Sequence, residues 1–300
     1  ALVPRYVRES KADGLARHFD TIGAVTVTAS LMLLVFGLTQ GNRVGWDSAQ
    51  TILVFSASAV LMAFFLWNEV RSRSPLVRLG IFRKRTLTGA NLVGLGLGTI
   101  IFGIFFLLSL YMQQVLGFSA IETGLGYLAV ALTVVVAATI SQGLVTRLGV
   151  KPVLVVGMSL LTLGMLFFAQ VSPDGSYWSD LFPGFLIIGV GMGFSFVPIS
   201  IAALAGVQGP EAGLASGLIN TSQQIGGALG LAVLTTIATT HTTTLLESGT
   251  AEPEALTSGF SWGFYAAAGF ALASLITTLV VLRQEYLPAA TTEPATVPAG

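Results

Sequence analysis

The sequence predicts an all-α integral membrane protein with eight membrane-crossing helices. Three observations carry that reading: an oil-like composition, eight apolar runs of bilayer length, and basic residues confined to alternate connections. Hydrophobic residues make up 53% of the chain and charged residues only 9%, with a mean hydropathy of +0.82. A water-soluble domain carries about 25% charged residues, so this chain could not cover a surface in water.

A hydrocarbon core about 30 Å thick needs roughly 20 apolar residues per helix. Runs at about 21–40, 51–68, 88–113 and 123–145 meet that length, as do 152–171, 181–204, 212–238 and 260–282. None shows the ten-residue polar/apolar alternation of a membrane strand. The third and sixth runs are interrupted by glycine, at Gly94–Gly98 and Gly189–Gly193, and the sixth also holds Pro198. Such helices are weak in water but tolerated in lipid, where the backbone has no other hydrogen-bond partner. The seventh run is unusual in another way: Asn220, Thr221, Ser222, Gln223 and Gln224 follow one another at mid-span.

Orientation follows from the cations. With a cytoplasmic N-terminus, thirteen of the fourteen Lys and Arg residues fall inside, among them Lys84, Arg85, Arg147, Lys151 and Arg283; Arg43 alone falls outside. The reverse topology would violate the positive-inside rule. Trp46, Tyr111, Tyr177, Trp178 and Trp262 then sit near outer ends as interfacial anchors. The one long outer loop is expected at about 239–259, and the Pro/Ala/Thr tail is expected to be disordered.

Enzyme chemistry finds no foothold. There is no cysteine, and the two histidines, His18 and His241, lie in polar segments. No HExxH or phosphate-loop pattern occurs, and the GxGxG runs lie inside apolar helices rather than after a strand. No Asp, Glu, Lys or Arg falls near the middle of a span, where a charge would mark an ion or proton path. Neither a cofactor, a metal nor a nucleic-acid partner is expected.

Polar side chains remain. At about 100° per residue, Gly213, Ser216, Gly217, Asn220, Gln224 and Gly227 share one stripe of the seventh span, with Gln223 at its edge. A second stripe on the third span runs through Asn91, Gly94, Gly98, Phe102, Phe105, Ser109 and Gln113. Mixed amide and aromatic character suits a site for amphipathic molecules. Two readings stand side by side: hydrogen-bonded glue between helices, or side chains facing a wet cavity that touch a solute. Gly213–Gly217 and Gly226–Gly230 are GxxxG pairs that permit close helix contact. The glycine runs at Gly94–Gly98 and Gly189–Gly193 open two triplets of spans with opposite orientation, as in inverted-repeat transporters.

These residues resemble the C-terminal part of a fourteen-spanning drug:proton antiporter of the major facilitator superfamily. The resemblance rests on Phe19-Asp20-Thr21-Ile22-Gly23-Ala24, Gln40-Gly41 with Gly45-Trp46, and Leu79-Gly80-Ile81-Phe82-Arg83. It rests most specifically on the run Ala215 to Ala228. Arg147, Gly149 and Lys151 resemble the superfamily's cytoplasmic loop motif, although Gln142 replaces its leading glycine and Thr146 its acid.

The resemblance implies a cytoplasmic segment at 1–19 and two extra linker helices within 20–68. A basic loop at 69–87 and a six-helix bundle at 88–283, built as a 3+3 inverted repeat, would follow, with the tail at 284–300. A fragment is implied too, the other six-helix bundle and its proton-carrying acid lying upstream of Ala1. Expected partners are membrane lipids, that bundle, protons and a small amphipathic substrate, in a plasma membrane with both termini cytoplasmic. Asn91, Phe102, Phe105, Gln113, Asn220, Gln223 and Gln224 are the candidate solute contacts. A non-transporting scaffold or receptor is the alternative.

The topology is directly testable. Cysteines placed at Lys84 and Arg147 should react with an impermeant maleimide only when the cytoplasmic side is opened; labelling from the cell exterior would reverse the assignment.

Overall fold

A computed structural model of the chain describes residues 20–72, 75–77, 79–205 and 209–282. The expected segment 1–19 and tail 284–300 lie outside the described residues. Nine α-helices are described: α1 Thr21–Val44, α2 Ala49–Arg71, α3 Arg85–Leu110, α4 Ala120–Gly126, α5 Leu128–Leu148, α6 Val150–Phe168, α7 Phe182–Leu204, α8 Gly209–Glu247 and α9 Glu252–Val280. A 3₁₀ turn, Leu79–Arg83, precedes α3, and π-helical turns at Tyr111–Val115 and Tyr177–Leu181 flank α3 and α7. Eight helical segments among the described residues are long and apolar enough to cross a membrane, α4 and α5 forming one of them.

Local chemistry sets the helix ends. The Asp20 carboxylate accepts the Gly23 amide at 2.7 Å and starts α1, and the Ser48 hydroxyl accepts the Thr51 amide to start α2. Ser119 and Glu122 form a reciprocal capping box at the start of α4. One residue, Gly149, turns α5 into α6 at φ 86°, a left-handed conformation that an L side chain resists.

The pair α1–α2 is joined by reciprocal serine bonds: Ser30 Oγ donates to the Ser58 carbonyl and Ser58 Oγ to the Ser30 carbonyl, both at 2.8 Å. The other helices form a bundle in which α3 lies against α8 and α9, and α7 against α5 and α6. α6 also meets α9, and α1 reaches the bundle by touching α8. The interior is apolar, with Leu97, Leu107, Met112, Leu154, Phe185 and Phe264 fully buried.

What brings these helices close is the absence of side chains. A Cβ on Gly98 would strike the Gln223 backbone, and one on Gly226 the Leu95 backbone, so α3 and α8 touch main chain to main chain. Gly94 receives the Ile219 side chain of α8, and Gly230 lies against Thr99 of α3. α7 repeats the arrangement: Gly189 approaches Thr133 and Gly193 approaches Ala137, both on α5. The glycine between each pair turns to a third helix, Gly96 to Ser274 of α9 and Gly191 to Leu161 of α6.

Three expectations need correction. Gly213 and Gly217 make no close helix contact among the described residues; open space lies where their Cβ atoms would be. Residues 239–259 are not a long loop, because α8 runs on to Glu247 and α9 starts at Glu252. The threonines there return their hydroxyls to the helix: Thr239 to the Thr235 carbonyl, Thr242 to Ala238 and Thr244 to Thr240. That satisfies their polarity without breaking the helix. Finally, Tyr111 is no interfacial anchor but a fully buried core residue whose hydroxyl donates to the Ser172 carbonyl at 2.6 Å. Trp46, Trp178 and Trp262 are exposed.

The two classes of glycine should respond oppositely to alanine. Gly226→Ala is expected to cost about 1–3 kcal/mol through overpacking, read as a lower melting temperature of the purified protein in detergent. Gly217→Ala should be neutral or stabilising, since alanine is the better helix former by about 0.8–1.0 kcal/mol.

Candidate functional site

α8 carries the polar cluster because its two sides are used differently. The side facing α3 presents Ile219, Gly226 and Gly230, whereas Asn220, Thr221 and Gln224 are exposed. These three, with Ile225, form one wall of a groove of about 640 Å³. The opposite wall is α1, through Leu31, Met32, Val35 and Phe36. All eight residues are uncharged.

Hydrogen bonding separates glue from free side chains. Asn91 is buried and committed at both ends of its amide. Its Nδ2 donates to the Leu87 carbonyl at 2.8 Å, and its Oδ1 accepts the Ser222 hydroxyl at 2.8 Å. Asn91 is therefore a fastening between α3 and α8 rather than a groove residue. Thr99 fastens the same pair, donating to the Gly226 carbonyl at 2.8 Å. Asn220 donates only to its own helix, at the Ser216 carbonyl, which leaves its amide oxygen without a donor among the described residues. The side chains of Thr221, Gln223 and Gln224 make no hydrogen bond to any described residue. Such amides, within an apolar span, are free to bond water, a ligand or another part of the protein.

The aromatic candidates lie in a second groove. Phe102, Phe105 and Ser109 line a cavity of about 490 Å³ with Ile101, Phe106 and Leu231. The two grooves share a face of α8: Asn220 and Gln224 lie on the first, Leu231 on the second, and Gly227 between them lies under the Phe102 ring. Gln113 is exposed on the π-helical turn after α3 and lines neither groove. Gln223 is half-buried, with its backbone against Gly98.

Sequence reasoning missed the α1 wall, whose residues have the composition of any lipid-facing stretch. It also missed a smaller groove of about 350 Å³ holding Thr240, His241 and Trp262, because 239–259 reads as a polar loop. In the segment that resembles the cytoplasmic loop motif, Arg147 is exposed and Gly149 makes the turn. Lys151 Nζ donates to the Leu279 carbonyl at 2.6 Å, beside the Arg85 bond to the Val280 carbonyl at 2.9 Å. Two cations thus cap the last turn of α9, where the helix dipole is negative.

Comparison with known proteins settles the lineage. The family model described as Major Facilitator Superfamily matches residues 22–231, a stretch that includes α1–α7 and the grooved part of α8. The chain belongs to the major facilitator superfamily. Within this superfamily of membrane transporters it resembles a cephamycin export protein of Amycolatopsis lactamdurans, 32% identical over 88% of this chain and 53% of the relative. A lincomycin resistance protein of Streptomyces lincolnensis is 34% identical over 73% of this chain and 45% of its own length. A puromycin resistance protein of Streptomyces alboniger is 29% identical over 92% of this chain and 56% of its own length. The chain spans about half the length of the curated relatives it matches.

If Asn91–Ser222 is a fastening, Ser222→Ala should lower stability by about 0.6–2 kcal/mol. Chemical or thermal unfolding in detergent measures this. An unchanged melting temperature would remove the bond from the list of interhelical ties.

Proposed function

We propose that this chain forms the solute-contacting part of a secondary exporter of small amphipathic compounds, working in exchange for protons in a bacterial cytoplasmic membrane. One observation carries the reading: Asn220, Thr221 and Gln224 stand in a groove of drug-ligand size with hydrogen-bonding capacity that no described residue uses. Asn220 and Gln224 would meet the polar edge of the solute. Phe102 and Phe105, one helical turn further along, would meet its apolar body. The names of the relatives, resistance and export proteins for cephamycin, lincomycin and puromycin, support export of compounds of this kind.

The solute-contact reading is favoured over interhelical glue because these side chains tie no two described helices together. Ties between α3 and α8 are made by Asn91, Ser222 and Thr99 instead.

The moving unit in this proposal is a 3+3 inverted repeat, α3–α6 and α7–α9, in a protein of fourteen spans whose extra pair is α1–α2. Support comes from the matched glycine contacts: alternate glycines of α3 meet α8 and α9, and alternate glycines of α7 meet α5 and α6. Alternating access would come from rocking of this bundle against its counterpart. Residues lining the two larger grooves are uncharged, so this part would bind solute while proton exchange uses groups elsewhere in the protein.

The test is efflux of ethidium and rhodamine 6G from cells expressing the full-length protein. Losing a net hydrogen bond worth about 0.5–1.5 kcal/mol, Asn220→Ala and Gln224→Ala should each weaken transport by roughly 2–10-fold at unchanged protein level. Normal efflux of both dyes by the double variant would take these two residues out of the site.

A further inference from the structure

The groove beside Asn220 has a second wall that lies outside the six-helix bundle. α1 is held against α2 through the Ser30–Ser58 bonds and through Gly37 against the Phe55 ring, and Gly41 lies against the Trp46 ring of the turn that joins the two helices. At 100° per residue, Met32 lies about 200° round the helix from Ser30, so fastening one side of α1 turns Met32 and Phe36 away from α2. Both are exposed, Met32 at 68% and Phe36 at 47%, and both face the uncommitted amides of α8 across the groove.

We propose that α1, through Met32 and Phe36, forms the apolar wall of the solute site and takes part in choosing which compounds are carried. This rests on the export-site reading above and extends it to a helix pair outside the bundle. The ligand class follows from the two walls. One is thioether, phenyl and branched aliphatic; the other is two amides and a hydroxyl beside Ile225. An organic molecule of drug size, with an aromatic or aliphatic face and a hydrogen-bonding edge opposite, satisfies both together. A lipid acyl chain would satisfy α1 but leave Asn220, Thr221 and Gln224 unpartnered in an apolar medium, which is costly. Met32 suits a variable occupant, because an unbranched thioether adapts its shape. Phe36 supplies the flat surface for an aromatic face.

The experiment uses the full-length protein, with any cysteine upstream of these residues replaced, since this stretch contains none. Met32→Cys is labelled with a small maleimide in de-energised membranes, with and without ethidium. Ethidium is expected to slow labelling severalfold, while a cysteine at the exposed α2 position Val60 reacts at the same rate in both conditions. In energised cells, Met32→Ala and Phe36→Ala should shift the ratio of ethidium to rhodamine 6G efflux by about tenfold, the scale set by a lost apolar contact in a binding pocket. Met32→Leu should restore the wild-type ratio.

Four outcomes are distinct. Protection with an altered ratio supports the α1 wall. Protection of Met32→Cys, with neither dye exported by the wild-type protein, supports the wall and removes the export reading. Export with an unchanged ratio and no protection overturns the wall and leaves the export reading intact. Labelling that is slow with and without ethidium means that lipid or another part of the protein covers the position, and overturns the wall.

Discussion

The close approach of α3 and α8 is the constraint on which the rest of the molecule depends. Between helices in lipid there is no hydrophobic driving force of the kind that assembles a protein in water, so contact has to come from fit. Gly98 and Gly226 let two backbones touch, and each lies where any side chain would strike the other helix. That contact fixes the rotation of α8. With Ile219, Gly226 and Gly230 turned toward α3, Asn220, Thr221 and Gln224 are left on the opposite side. Small residues on one side of a helix thereby decide where its polar residues point.

Most of the fold was legible because the bilayer demands so little of a sequence. Length and apolarity alone define each crossing segment, and the eight runs correspond to eight candidate spans. Reading failed where a residue's polarity could be answered locally. The threonines of 239–244 look like a loop, yet hydroxyls that bond back to a carbonyl one turn earlier leave the helix unbroken. Tyr111 looks like a surface anchor, but a carbonyl supplied by Ser172, far along the chain, lets it be buried.

The site was half legible for the same reason. An amide in a span announces itself, but sequence alone cannot say whether a neighbour answers it. Asn91 and Asn220 look equivalent until Ser222 is seen reaching the first from another helix while the second bonds only within its own. Nor could the apolar wall have been recognised. Leu31, Met32, Val35 and Phe36 carry no pattern that distinguishes a groove from a lipid face; only the contact between α1 and α8 does so. Binding character here belongs to pairs of helices, and a single segment displays only one partner of the pair.

The unbroken course of α8 has a mechanical consequence. Its 39 residues would extend roughly 58 Å at 1.5 Å per residue, nearly twice the thickness of the hydrocarbon layer. If α3 meets it at Gly226 as a fulcrum, the tip at Glu247 stands roughly 30 Å away. A tilt of about 10° at the fulcrum then sweeps that tip through about 5 Å, by the same helical rise. In the proposed exporter this rod would act as a lever, with the amides on its short arm and His241, beside Trp262 of α9, on its long arm. Small displacements beside a bound solute would thereby be magnified at the far tip.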